Sequence, residues 1–309
     1  MDHWRIIDLT NFEGRVSYRR GQLVVCPTAQ PDKLSTLPLI DVGTVMFGLK
    51  TAIGGAVLQQ LAEFDVTALV CDWKGVPVGG LYGWHDHGRV GARQKAQAEV
   101  TLPRRKNAWG QVVKAKVLGQ AANLRLLGNR DWTTLRDMAK SVRSGDPSNI
   151  EAQAARYYWA RLFDSRLARL PGARAEERNS KLDYGYTVLR GHAIRGVLAA
   201  GLAPSLGIFH RGRGNFFNLA DDIIEPFRPA VDWVAAKLKS EMPITLPSVK
   251  EALVSASSQA FTPDGKTVAT CLTELAQQLG QYVEGDIDRL TVPAWAGPVR
   301  AEVPEAAEA

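Results

Sequence analysis

Cysteine is scarce in this chain of 309 residues: Cys26, Cys71 and Cys271 are scattered, odd in number and form no C-x-x-C pair. That excludes a disulfide framework and a zinc site of the usual spacing, and leaves the three as small core residues. No apolar run reaches eighteen residues, so no stretch reads as a membrane span. The N-terminus, MDHWRIIDL, lacks the basic-then-apolar layout of a secretion signal, and a cytoplasmic protein is expected. Bulky apolar residues are nearly missing from the last stretch, AGPVRAEVPEAAEA, so 296–309 is expected to be a disordered acidic tail.

Acidic residues are also thin in the middle of the chain. Residues 91–239 hold 26 lysines and arginines against 13 acids, whereas 1–90 hold 8 against 9 and 240–309 hold 4 against 10. The net charge of +6 is therefore a neutral front, a middle of +13 and an end of −6. A basic excess confined to one region is the electrostatic footprint of a phosphate-rich partner. Arginine-rich helices that merely keep a solvated face give the same count.

What is present divides the chain in two. Up to about residue 88, RIIDLT, GRVSYRRGQLVVC, VTALVCDW and VPVGGLYGW are rich in Val, Ile, Thr, Tyr and Trp and are separated by glycine-bearing turns. A small antiparallel sheet domain with one helix, ending in GAVLQQLAEF, is expected there. GWHDHGRVGARQ marks the boundary. Its His85 and His87 form an H-x-H that would bind metal only on a strand with a further ligand nearby. From 89 to 295 the pattern is helical, so the fold class is α+β: a small β domain and then a larger all-α domain built as a bundle. In NAWGQVVKAKVLGQAANLRLLG, Val112, Val113, Ala115, Val117 and Leu118 mark an apolar face. Lys114, Lys116 and Arg125 are left to face elsewhere, towards DNA or simply towards water.

The richest stretch is GLAPSLGIFHRGRGNFFNLADDIIEPFRP, from Gly201 to Pro229. His210 ends an apolar run, Arg211 and Arg213 follow in a glycine-rich basic loop, and Asp222 and Glu225 stand three apart, on one face if helical. Pro226 cannot continue a helix without losing a hydrogen bond, so a kink or a second helix is expected near Glu225. One imidazole and two carboxylates beside arginines suit a metal ion held next to a phosphate, although a solvated helix start with acids near its N-terminus gives the same letters. A further carboxylate is Glu151, in GDPSNIEAQAARYYW. Ser148 and Glu151 also spell S-x-x-E, a capping box in which the glutamate bonds back to the helix start. The two readings compete for one carboxylate.

GDPSNIEAQAARYYW, KLDYGYTVLRG, GLAPSLGIFH and FNLADDIIEPFRP, in this order and spacing, resemble the CRISPR-associated spacer-acquisition integrases, the Cas1 family, of the type II variety that accompanies Cas-nine-type effectors. The resemblance covers nearly the whole chain. It implies a small β domain that dimerises, an all-helical catalytic domain, and a site for Mg²⁺ or Mn²⁺ held by Glu151, His210 and Glu225, with Asp222 close by as an orienting or additional acid. It further implies a homodimer that joins Cas2, two dimers bridged by one Cas2 dimer, and that acts on double-stranded DNA. The implied reaction is attack of prespacer 3′-ends on the CRISPR repeat by transesterification, with DNA endonuclease activity at the same centre. Two carboxylates and one imidazole leave positions on a divalent ion for a phosphate oxygen and a hydroxyl, which agrees with that chemistry. Arg211, Arg213, Lys114 and Lys116 are the expected nucleic-acid contacts. A hydrolytic nuclease on branched DNA or RNA, or a non-catalytic DNA-binding scaffold, are the other readings these residues allow.

Overall fold

In a computed structural model that describes residues 5–73, 77–83, 88–163 and 177–298, the first 81 residues supply all the strands and two sheets. One sheet has the order β1 (Arg5–Leu9), β5 (Val42–Phe47), β7 (Thr67–Cys71), β8 (Pro77–Leu81). The other runs β4 (Ser35–Pro38), β3 (Gln22–Pro27), β2 (Gly14–Arg19), β6 (Thr51–Ile53). β2 and β3 alternate Val16, Leu23 and Val25 inward with polar residues outward, as a strand with one dry face must. They are joined by Arg20-Gly21, both at positive φ (47° and 79°), the backbone of a two-residue type I′ hairpin.

The expected antiparallel sheet is corrected in both layers: in the second, β6 lies parallel to β2 beside the antiparallel β2, β3 and β4, and the first is mostly parallel. β1, β5 and β7 pair in parallel, and only β8 is antiparallel. Parallel neighbours need a crossover, and β6 with helix α1 (Gly55–Glu63) provides it between β5 and β7. β5, VGTVMF, is buried at all six positions because it is covered on both faces. Val45, Phe47 and Ala68 share a core with the second sheet and α1, whereas Ile6, Met46, Leu69 and Cys71 belong to the core under the helices.

The remainder is helical: α2 (Val90–Glu99), α3 (Leu102–Leu126), α4 (Trp132–Ser141), α5 (Ile150–Leu162), α6 (Glu177–Ala199), α7 (Asn218–Ile223), α8 (Arg228–Lys237), α9 (Pro247–Ser255) and α10 (Val268–Glu284). Two long helices form the frame. α3 packs on α4, α5, α7 and α8, and α6 packs on α7, α8, α9, α10 and the sheet strands β5 and β7. α3 is buried on nearly every side, with Trp109, Val112, Val113, Val117 and Leu124 each at most 2% exposed. Pro226 has the effect expected of it: α7 stops at Ile223, a 3₁₀ turn covers Glu225–Phe227, and α8 starts afresh with Pro229 in its first turn.

Among the described residues no helix is long and apolar enough to cross a membrane. Cys71 and Cys271 are buried and Cys26 is partly exposed, all three as free thiols. His85 and His87, and the tail from residue 299 onward, lie outside the described residues.

Candidate active site

Glu151 and Glu225, 74 positions apart in the chain, meet at one ammonium. Lys116 Nζ contacts Glu151 Oε1 and stands 2.6 Å from Glu225 Oε2. Arg228, one turn on from Glu225, holds its other oxygen at 3.0 Å. Each partner comes from a different element: Lys116 from α3, Glu151 from α5, Glu225 from the 3₁₀ turn that Pro226 enforces.

The reason Glu151 is free to reach Lys116 lies in the loop before α5. Asp146 and Asn149 both sit at positive φ (47° and 52°), which folds the Asp146 carboxylate over the start of the helix. Its Oδ1 accepts from the amide of Ile150 and its Oδ2 from the amide of Glu151, each at 2.9 Å. The Glu151 amide, which the Ser148 hydroxyl would take in a capping box, is thus already satisfied. Ser148 contributes its carbonyl, to Gln153 Nε2 at 2.8 Å. The capping-box reading of Ser148 and Glu151 is overturned: Asp146 is the cap, and the Glu151 side chain points into the site.

His210 is positioned by Asp222. That carboxylate, fully buried on α7, receives the amides of Ile208 at 2.6 Å and Phe209 at 3.1 Å on Oδ2. On Oδ1 it meets the amide of His210 at 3.1 Å and the ring Nδ1 at 2.7 Å. Both oxygens are committed to the loop and the ring, so Asp222 orients His210 and turns no oxygen towards Lys116. Gly207 makes the arrangement possible, because a Cβ there would stand 2.3 Å from the His210 carbonyl and 2.8 Å from Asp222 Oδ2. Phe209 lies flat on Trp109 of α3, ring centres 4.2 Å apart, and fixes the other side of the loop.

Beneath the acids a polar network ties four helices together. Asn123 of α3 donates to Tyr158 Oη at 2.8 Å and to the Pro229 carbonyl at 2.7 Å. Tyr158 of α5 and Tyr186 of α6 both donate to Asp232 of α8. These partners are satisfied and buried, which holds the backbone under the site in one arrangement.

The electrostatics follow from burial and pairing. Burial works to lower the Lys116 ammonium, but Glu225 and Glu151 outweigh it and keep its pKa above the ordinary value. Burial works to raise the Glu225 carboxyl, yet Arg228 and then Lys116 hold it below the usual range. His210 is raised, first by its hydrogen bond to Asp222. Asp222 is raised by burial, which its donors only partly offset.

Of the residues the sequence singled out, Glu151 and Glu225 are thus brought together, with His210 close enough to Glu225 for each to shift the other's pKa. Among the described residues no three acids, histidines or cysteines stand at the spacing that would themselves grip a metal ion, and a lysine ammonium lies between the two glutamates. Glu225 Oε2 is nonetheless a buried acceptor that no well-aligned hydrogen bond reaches. Arg211 and Arg213 are exposed on the loop after His210, and neither forms an ion pair with a described residue. Lys114 is exposed on α3, but Lys116 is not: it is 7% exposed, and its expected role as an outward contact is corrected to an inward one. Sequence reasoning took this lysine for a DNA contact and missed its pairing with Glu151 and Glu225. Its signal was there, since Val112, Lys116 and Gln120 recur at four-residue spacing along the apolar stripe.

Residues 8–251 match the family model for CRISPR associated protein Cas1. The chain is 35% identical over 295 residues to a CRISPR-associated endonuclease Cas1 of Neisseria meningitidis, covering 93% of each chain. It is 28% identical over 244 residues to one of Pyrobaculum aerophilum, covering 72% of this chain and 78% of that one. In three dimensions it shares its fold with a casposase bound to an integration product (TM-score 0.76, 17% identity, 96% and 94% of the two chains). The fold is likewise that of a CAS1 protein from Thermotoga maritima (TM-score 0.70, 16% identity, 91% and 97%). With the family model spanning most of the chain, and a relative above 30% identity over nearly all of it, this protein belongs to the CRISPR-associated Cas1 family.

Proposed function

We propose that this chain is a metal-dependent DNA integrase and endonuclease of CRISPR adaptation, which joins the 3′-ends of a prespacer duplex to the CRISPR repeat by transesterification. The observation that carries the reading is the convergence of Glu151 and Glu225, from separate elements, on a single cation beside His210. Two carboxylates and an imidazole are the donor set of a divalent ion of the Mg²⁺ or Mn²⁺ kind, and Glu225 Oε2, buried and facing the Lys116 ammonium, is an oxygen such an ion could take. Bound by Glu151, Glu225 and His210, such an ion would polarise the scissile phosphate and lower the pKa of the attacking hydroxyl.

The residues of the chain do the rest. Asp222 takes up Nδ1 of His210 and so reserves Nε2 for a ligand, an arrangement that fixes the ring and increases its basicity. Arg228 keeps Glu225 ionised in a buried setting. Arg211 and Arg213, exposed and unpaired among the described residues, would clamp the phosphates flanking the reacting one. Lys114 adds to a basic surface that tracks the duplex.

Partners follow the same line. One neighbour in fold is described as bound to an integration product and another as part of a Cas6-RT-Cas1–Cas2 complex (TM-score 0.71, 18% identity, 96% of this chain and 36% of that one). For this chain we expect double-stranded DNA, a second copy of itself through the β region, and Cas2, in an assembly of two dimers bridged by a Cas2 dimer.

The test is strand transfer of a labelled duplex into a repeat-bearing target, with Mn²⁺ or Mg²⁺. Glu151→Ala, His210→Ala and Glu225→Ala are each expected to abolish joining while DNA binding largely survives. Blocking the 3′-ends must stop joining by the wild type. Products that still form from blocked ends would mean that water is the nucleophile, and a hydrolytic nuclease would replace this reading.

A further inference from the structure

Lys116 is an unusual occupant for a metal site. Its side chain is 9% exposed, that of Glu225 5% and that of Glu151 26%, so three charges are largely withdrawn from water at one point. Arg228 serves only Oε1 of Glu225. The remaining oxygen of Glu225 and the near oxygen of Glu151 face each other across the lysine alone, and without it two carboxylates would repel in a poorly hydrated place. The ammonium sits on four rotatable bonds, although its helix is packed on nearly every side and cannot move away. Next to it lies a small cavity lined by Gln120, Ala155, Trp159, Tyr186, Arg228 and Asp232, with room into which the side chain can fold towards Gln120 and Asp232.

We propose that Lys116 is a built-in stand-in for the metal: it holds Glu151 and Glu225 together when no divalent ion is present, and withdraws towards Gln120 and Asp232 when one binds. This rests on the metal-site reading above. The lysine is then a positioning residue with two opposed effects. It stabilises the metal-free protein, and it weakens metal binding, because an ion must displace a positive charge that touches two of its donors. Weak affinity for the ion in the free protein, relieved when DNA phosphates arrive, would follow from the same displacement.

The test measures Mn²⁺ binding by electron paramagnetic resonance of free Mn²⁺ and by calorimetry, together with melting in EDTA, for wild type, Lys116→Met and Lys116→Gln. Lys116→Met is expected to bind Mn²⁺ about tenfold tighter or more, since a unit charge in contact with two ligands is removed. The same variant should melt lower in EDTA and gain more from Mn²⁺ than wild type. Lys116→Gln, nearly isosteric and neutral, should shift in the same directions and serves if the methionine variant does not fold. Unchanged or weaker Mn²⁺ affinity in both variants would overturn the role of the lysine and leave the metal site standing. Absence of Mn²⁺ binding that Glu151→Ala removes, in wild type and variants alike, would overturn the metal site and this inference with it.

Discussion

Asp222→Ala is the substitution in which the structure commits most. Four donors converge on this carboxylate: the amides of Ile208, Phe209 and His210, and the His210 ring. A hydrogen bond to a charged acceptor contributes about 1.5–3 kcal/mol, and a buried donor left bare costs about 1–3 kcal/mol. Ile208 is 8% exposed and its amide has no route to water, whereas the His210 end of the loop is half open and can rehydrate. The loss should therefore be nearer to one full buried donor plus partial losses than to four bonds, about 3–5 kcal/mol. At roughly 2–4 °C per kcal/mol for a chain of this size or somewhat smaller, the melting temperature should fall by roughly 6–20 °C. His210→Ala removes the ring bond and the edge contacts with Trp109 and Phe209 from a half-exposed side chain, and should move the midpoint by no more than about 3 °C. Both are measured by calorimetry in EDTA, so that bound metal contributes nothing. An Asp222→Ala protein that melts within about 3 °C of wild type, or no lower than His210→Ala, would refute the claim that this acid builds the loop.

Three further outcomes are expected. Asp146→Ala should cost about 1–2 kcal/mol in chemical denaturation, because two helix-start amides lose their acceptor, whereas Ser148→Ala should be nearly neutral. His192, buried on α6 with no partner for Nε2 among the described residues, has its pKa lowered to about 4, by burial first and then by Arg195. It stays neutral in the fold while the unfolded chain gains a proton below about 6.5, so stability present at neutral pH should fall by about 3 kcal/mol as pH drops from 6.5 towards 4. Denaturation at several pH values should show a smaller fall in His192→Gln. In DNA binding, Lys114→Glu should flatten the dependence of log K on log salt by roughly 0.9 per lost phosphate contact, and the same change at Lys33 on the β region should leave it unaltered.

Much of this was legible in the sequence, for reasons that particular residues make plain. The helices and the break at Glu225 follow from 3.6-residue periodicity and from Pro226, both local signals. The hairpin at Arg20-Gly21 is local too. The parallel pairing of β1 with β5 and of β5 with β7 is not, since partners some 37 and 23 positions apart leave no mark on one another's sequence. The nearly uninterrupted apolar run VGTVMF, as of a strand covered on both faces, was the available hint. Glu225 stood out by type and spacing and Glu151 only through the family resemblance, while the lysine between them was assigned outward because a charged residue on an amphipathic helix usually faces water. α3 has almost no such face. Likewise S-x-x-E is a sound cap signature, and it failed here because Asp146, folded back by two positive-φ residues, reached the amides first.

The sharing of Ile6, Met46, Leu69 and Cys71 with the helical core bears on how the molecule comes apart. Stripping the helices from β1, β5 and β7 would expose the first three of these to water at a cost on the order of 5–9 kcal/mol, which rivals the whole net stability of an ordinary domain. Tyr184 of α6 also donates to Asp8 of the sheet at 2.7 Å, and Arg195 pairs with Asp65 beyond α1. Heat or denaturant should therefore melt strands and helices in one cooperative transition. A fragment cut in the 83–94 junction should collapse or aggregate, because the face of its sheet is covered by α6.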